Sequence, residues 1–480
     1  MNTITVNDLS PDQRSAYNDI TNWIRNQDRG LLSLGGYAGS GKSTLVSLVA
    51  EQVRSPAFCA FTGKATSVLR RKLNRAGTST ASAWQKRINP MLDASICDTI
   101  HGLIYQPCEC REPETVEVSK PCPAEGCVVE LELTSEGVAA CRDHGEMLTA
   151  AVYDALGPQK RFAYPPRDET GKCKYCDGVG WHRREALDRD CDLIIVDEAS
   201  MVDDTMLTDL QSYNVPILAV GDHGQLPPVR GQGSVMKSPH LRLEKIHRQA
   251  EGNPIIALSK IVRETGYLPD SDAGDVVRFR GLREIEQIIS ERYSNASPAR
   301  LLEMGLVCYT NRRRVGLNGV VRRVRGTAEQ PPMTGEHVVC LRNMRSQGGR
   351  PPVANGMRGV LVTDAKYVND SNEEQILAGV ELPEDEIEAC QYKMLVAQFG
   401  REKTFTAPEE LAQETSFRSF NLAGCLFDFG WAMTCHKMQG SQVDDLVVCA
   451  ERPGPVDNDS WKKWLYTAVT RAVSKLTVLR

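Results

Sequence analysis

A chain of 480 residues is too long for one hydrophobic core, and its 41% hydrophobic and 25% charged content is that of a globular protein of roughly three or four domains. A net charge of −5 gives no overall nucleic-acid signal, so any such surface must be local. The N-terminus, MNTITVNDLS, lacks a basic apolar leader and no apolar run approaches membrane-spanning length, which predicts a cytoplasmic protein with no membrane partner.

Near the N-terminus, Ser10 is placed to cap a helix with Pro11 in its first turn, and Gln13 follows in that helix. Residues 31–34 read as a strand, residues 36–43 as the pattern G-x-x-x-x-G-K-S, and residues 45–53 as an apolar helix. In that pattern the glycines Gly36, Gly39 and Gly41 let backbone N–H groups approach a phosphate, and the helix start at Lys42, Ser43 and Thr44 adds positive potential. Lys42 is the expected partner of the β/γ-phosphates and Ser43 a ligand of Mg²⁺. A second buried strand over 56–61 leads into Thr62, Gly63 and Lys64 and a basic helix over 65–74. Alternating strands and helices imply a parallel sheet that presents Thr62 and Lys64 on its ligand edge.

Alternation stops between about 103 and 190. Seven of the chain's 16 cysteines fall between Cys108 and Cys176, which without a secretion signal indicates thiols or metal ligands. Four short-spaced pairs, Cys108 with Cys110, Cys122 with Cys127, Cys141 with His144, and Cys173 with Cys176, supply ligands for about two tetrahedral Zn²⁺ sites. Nesting gives an inner site from Cys122, Cys127, Cys141 and His144 and a closing site from Cys108, Cys110, Cys173 and Cys176. Sequential pairing is the alternative, and unligated buried thiols the plain reading. Residues 109–146 are predominantly acidic, whereas 160–184 carry Lys160, Arg161, Arg167, Lys172, Lys174, Arg183 and Arg184 among the aromatics Phe162, Tyr164, Tyr175 and Trp181. Phosphates repel the first part and attract the second, so the segment around Cys173 to Arg184 is expected to approach DNA, as wedge or guide, and the acidic lobe to face solvent or a protein partner.

Strand character resumes at 192–196 and ends in Asp197 and Glu198, the arrangement in which one carboxylate holds Mg²⁺ and the next orients or deprotonates water. A further strand over 216–220 opens into a loop with Gly221, Asp222 and Gln225, a candidate sensor of the γ-phosphate. Arg248 precedes a helix over 254–263. Strand 306–309 leads to Thr310, Asn311 and a helix with six arginines in residues 312–325, either a solvated face or phosphate contacts. Residues 326–419 hold short β-like runs at 337–341, 359–363 and 393–398 with an acidic loop at 381–388. A buried run over 427–434, the stretch His436-Lys437-Met438-Gln439-Gly440, a helix over 464–471 and a strand over 476–479 close the chain.

In this order the motifs resemble superfamily 1 helicases of the RecD and Dda branch, bacterial or phage, over roughly three quarters of the chain. The resemblance implies an α/β fold of two RecA-like P-loop motor domains, 1–102 with 190–235 and 236–325 with 420–480. It also implies an SH3-like β insert at 326–419 and puts the cysteine-rich insert, 103–189, in the place of the domain bearing the strand-separating pin. Gln13 then resembles the glutamine that reads adenine, Gly36 to Thr44 motif I, and Gly440 part of a motif at the nucleotide cleft. Thr62, Gly63 and Lys64, Thr99 and His101, Thr310 and Asn311, and Thr434, His436, Lys437 and Gln439 fall where the family grips DNA. Asp197 and Glu198 match motif II and Gln225 motif III, and Arg248 and Arg471 match the arginine fingers of motifs IV and VI. Phe61 stands where the family usually has proline, and is either core or a base-stacking residue. The implied activity is ATP-dependent strand separation by a monomer moving 5′ to 3′ on single-stranded or forked DNA. A translocase or RNA remodeller with the same motor, or a zinc-bearing loading module with an auxiliary ATPase, are the alternatives.

Overall fold

The computed structural model describes residues 5–26, 29–75, 78–81, 95–107, 114–120, 131–133, 138–141, 145–149, 153, 159–163, 181–184, 187, 191–228, 231, 233–245, 252–344, 353–369, 372–383, 387–417 and 420–480. Met1–Leu103 with Asp188–Arg480 form one compact unit, and Ile104–Leu187 a second. Among the described residues no helix is long and apolar enough to cross a membrane.

In the larger unit, seven strands form a wholly parallel sheet. Its order is Leu241–Leu243, Leu31–Gly36, Ile217–Gly221, Leu193–Asp197, Pro56–Ala60, Ser95–Thr99 and Thr80–Ala81. The central strands are near-continuous apolar runs because helices cover both faces of such a sheet. Leu34, Phe58, Ile195 and Leu218 are buried among Ile20, Leu45 and Leu69 from those helices. Register aligns the strand ends: Gly35 lies opposite Gly221, and Asp197 opposite Ala60. Residues 37–41, 61–64, 197–198 and 222–225 therefore emerge together at the carboxyl edge, where open parallel sheets bind ligands.

A second parallel sheet has the order Val277–Arg280, Ala472–Leu479, Val443–Cys449, Met304–Cys308 and Ala432–Thr434, with helices Pro254–Thr265, Ile285–Tyr293, Asn311–Val324 and Asn458–Val469. An antiparallel sheet is inserted in it, built from His337–Cys340, Arg358–Leu361, Lys366–Asn369, Asn372–Leu382 and Ile387–Leu395. Phe427–Phe429 pairs with His337–Cys340, so this sheet reaches beyond residue 419. The acidic stretch at 381–388, expected as a loop, has its two ends in paired strands, Asn372–Leu382 and Ile387–Leu395, and residues 384–386 lie outside the described residues; Asn372–Leu382 buries Ile376, Ala378, Val380 and Leu382 at the two-residue period of a strand.

The arginine run follows neither expected reading throughout. Arg314, Asn318 and Arg322 repeat every four residues and are buried on one helix face, where Arg314 pairs with Asp428, and Arg322 donates to Glu336 at 2.7 Å. The exposed Arg323 reaches Glu286, and Arg325 lies over the Trp431 ring. Asp428 is 0% exposed and also accepts from the backbone of Gly400 and Phe429. Asp428→Ala leaves Arg314 charged and buried without its carboxylate, for which a loss of about 3–5 kcal/mol is expected. Denaturant unfolding monitored by tryptophan fluorescence measures it, and a loss below about 1 kcal/mol would remove this pair from the determinants of the second sheet.

In the smaller unit, Tyr105–Pro107 pairs antiparallel with Trp181–Arg183, Glu114–Val118 with Gln159–Ala163, and Val138–Cys141 lies between Glu132–Leu133 and Gly145–Thr149. Cys141 is buried. Cys108, Cys110, Cys122, Cys127, His144, Cys173 and Cys176 lie outside the described residues, as does Arg248.

Candidate nucleotide site and nucleic-acid edge

The loop at 37–41 is shaped by its glycines. Gly39 and Gly41 have φ of 81° and 80°, which side chains with a Cβ rarely adopt, and a Cβ on Gly36 would meet Ser40 Oγ at 2.5 Å. Lys42 Nζ donates to the carbonyls of Gly36 at 2.6 Å and Tyr37 at 3.0 Å, which holds the ammonium within the loop. Ser40 Oγ is buried without a hydrogen-bond partner among the described residues. Gln13, 2% exposed, completes a capping box with Ser10 and donates from Nε2 to Ser40 O at 2.9 Å, so the predicted adenine reader is fixed to the phosphate loop.

Across the edge, Asp197 Oδ1 accepts from Glu198 N at 2.9 Å, and Glu198 is one of two non-glycine residues with positive φ, at 52°, among the described residues. Such backbone is costly and aims the carboxylate away from the strand direction. Burial and the neighbouring Asp197 raise the Glu198 pKa, against the attraction of Arg471, Lys42 and Lys72. Ser43 and Asp197 are hard oxygen donors that fit Mg²⁺, and Lys72 Nζ donates to Ser43 Oγ at 3.3 Å. Gln225 Oε1 is buried with no partner among the described residues, whereas its Nε2 makes only a long contact, 3.5 Å, to Asp222. A glutamine with an unengaged carbonyl oxygen beside a buried carboxylate can orient a water.

The second parallel sheet supplies the opposite wall. Arg471, 4% exposed, donates to the carbonyls of Thr467 and Ser441 and to Thr470 Oγ1, so its guanidinium is fixed. Leu226 N donates to Thr467 Oγ1 at 3.0 Å, and Gln439 Nε2 to Leu226 O at 3.3 Å. Gly440 has φ of 76°, and a Cβ there would approach Ala65 Cβ to 2.8 Å. Tyr466 was not singled out in the sequence, yet its hydroxyl accepts from Ala38 N in the phosphate loop at 3.1 Å and donates to Asp222 Oδ2 at 2.6 Å. Its place five residues before Arg471 is the signal that could have found it.

The residues expected on DNA divide by what they do locally. Thr62, Thr99 and Thr310 each cap a turn or helix start, accepting from Ala65 N, Gly102 N and Arg313 N. They thereby point helix N-termini toward the carboxyl edge, an arrangement that favours phosphate. Gly63 lies against Ala354 of the antiparallel insert, with no room for a Cβ. Lys64 is 1% exposed, and Thr434 and Gln439 are also buried, whereas Phe61, Thr99, His101, His436 and Lys437 are half-buried and Thr310 and Asn311 exposed. Burial lowers the pKa of His101 and His436, and pushes Lys437 down to about 8.

Residues 23–231 match the AAA domain family, and residues 429–479 the UvrD-like helicase C-terminal domain. Over 289 residues the chain is 27% identical to the ATP-dependent RecD2 DNA helicase of Deinococcus radiodurans, a match taking in 58% of this chain and 35% of that protein. The chain thus covers about a third of that relative's length. Among solved structures it is similar to the Pif1 helicase from Candida albicans, at 16% identity over 98% of this chain and 95% of that one, with a TM-score of 0.44. It is also similar to a Bacteroides Pif1 helicase in complex with ADP-AlF3 and ssDNA, at 16% identity over 96% and 91% of the two chains, with a TM-score of 0.46.

Proposed function

We propose that this protein is an ATP- and Mg²⁺-dependent DNA helicase of the superfamily 1 RecD type, moving 5′ to 3′ on single-stranded DNA and separating forked duplexes. The observation that carries the proposal is the wall-to-wall arrangement of the nucleotide cleft. Lys42, Asp197, Glu198 and Gln225 stand on one parallel sheet, and Arg471, close enough to bias Glu198, comes from the other. Hydrolysis in such a cleft depends on both motor domains being together, which ties the chemical step to domain movement. Mg²⁺ held by Ser43 and Asp197 would neutralise charge on the phosphates. Lys42 binds the β/γ-phosphates, Glu198 takes the proton of the water that Gln225 orients, and Arg471 offsets charge on the transferring phosphoryl group. Arg248 is the second finger on the motif reading.

Capping by Thr62, Thr99 and Thr310 supports a single-strand track along the carboxyl edges of both sheets, with His101, His436, Lys437 and Asn311 bordering it. Pairing of Tyr105–Pro107 with Trp181–Arg183 draws together the chain that flanks Cys108 and Cys110 and the chain that follows Cys173 and Cys176. This supports the closing site of the nested zinc assignment, formed by Cys108, Cys110, Cys173 and Cys176. Displacement assays on duplexes with a 5′ tail, a 3′ tail or a fork test the function. ATP-dependent displacement from the 5′ tail and the fork is expected. Displacement only from the 3′ tail would reverse the direction, and none from any DNA would favour a translocase or RNA remodeller.

A further inference from the structure

The phosphate loop of the first motor domain is gripped by the second through residues to which none of the motifs above gives a role. Tyr37, between Gly36 and Ala38, packs against the hydrophobic core of the second motor domain. The Arg263 guanidinium, from helix Pro254–Thr265, lies 3.4 Å from the centroid of the Tyr37 ring. Arg263 Nη2 is 3.6 Å from Glu264 and Nη1 is buried without a hydrogen-bond partner among the described residues, so the ring is the contact that fixes this side chain. Tyr37 also meets His223 at 4.3 Å between centroids and Tyr466, in a T-shaped arrangement, at 6.3 Å. Tyr466 in turn holds Ala38 N and Asp222.

We infer that Arg263 and Tyr37 form a clasp between the two motor domains, a positioning pair that holds the nucleotide cleft closed and so sets how much ATP is needed to close it. This rests on the ATPase reading proposed above. A cation over a tyrosine face in a desolvated cleft is held by the negative potential of the ring. The stack exists only when helix Pro254–Thr265 lies against the loop, so its energy favours the closed cleft. Once nucleotide has closed the domains, the reacting groups Lys42, Glu198, Gln225 and Arg471 are in place with or without the clasp. Losing it therefore weakens apparent ATP affinity more than turnover. A guanidinium that acted on the phosphoryl group would show the reverse.

The test is a double-mutant cycle on the full chain, with steady-state ATPase on single-stranded DNA and equilibrium binding of a non-hydrolysable ATP analogue. Arg263→Gln and Tyr37→Leu are each expected to raise KM and the analogue's Kd about tenfold, equivalent to ~1.4 kcal/mol, with kcat within about threefold of wild type. The double variant should be no worse than either single one. Arg263→Lys, which keeps a cation, should recover part of the affinity, and coupling to Arg263 should persist in Tyr37→Phe but not in Tyr37→Leu. Unchanged KM and Kd, effects that multiply in the double variant, or a loss of kcat at constant KM would each overturn the clasp. Matching melting temperatures exclude misfolding, and the two conservative variants carry the test if the others unfold. A wild-type protein that hydrolyses ATP without displacing strands would fail the helicase reading and leave the clasp result standing. Binding of the analogue keeps it measurable even without hydrolysis.

Discussion

Arg471→Ala should cut ATP turnover by about 10³–10⁵-fold, the range for removing an arginine that meets a transferring phosphoryl group. Binding of a non-hydrolysable analogue should stay within a few-fold. Three acceptors fix the side chain, so its guanidinium reaches the cleft without further ordering. Its charge already registers on Glu198. Arg471→Lys should recover little, because an ammonium cannot keep the Thr467, Ser441 and Thr470 contacts and still span the cleft. Single-turnover hydrolysis with the analogue's Kd measured alongside separates the two effects. Turnover within tenfold of wild type would remove Arg471 from the reaction.

The first parallel sheet and its carboxyl edge were legible because phosphate chemistry constrains local sequence. Gly36, Gly41, Lys42 and Ser43 must follow one another at fixed spacing, and Asp197 and Glu198 must end a buried strand, so a linear reading finds both. The arginine helix was partly legible and was misread. Its four-residue repeat of Arg314, Asn318 and Arg322 marks a buried face, but burial becomes tolerable only through Glu336 and Asp428, which local spacing does not reveal. Tyr466 is 428 residues from Ala38, and Arg263 is equally remote from Tyr37 in kind: such pairs exist only once two domains meet. Thr62, Thr99 and Thr310 show a further limit. Their position on the ligand edge was visible, whereas their use as caps depends on where each helix begins, as at Gly63, two residues earlier than the sequence indicated.

Glu198→Gln should leave the fold and nucleotide binding intact and lower kcat by about 10²–10⁴-fold, the usual contribution of a general base. Gln has nearly the same size, and the φ of 52° at this position is held by the backbone N–H on Asp197 Oδ1, which the substitution does not touch. The pH dependence of the wild type distinguishes a base from a residue that only positions. Burial and Asp197 raise the Glu198 pKa, so its unprotonated form is lost as pH falls through a value above the ordinary glutamate range. The acid limb of the kcat/KM profile, which reports the free enzyme, should therefore lie above that range. Lys72 opposes the shift. Lys72→Gln should consequently move the limb to still higher pH, since removing a nearby positive charge makes the carboxylate easier to protonate. A limb within the ordinary carboxylate range, or one that moves to lower pH in Lys72→Gln, would mean that another group takes the proton. Such a result would leave Glu198 as a structural neighbour of Asp197.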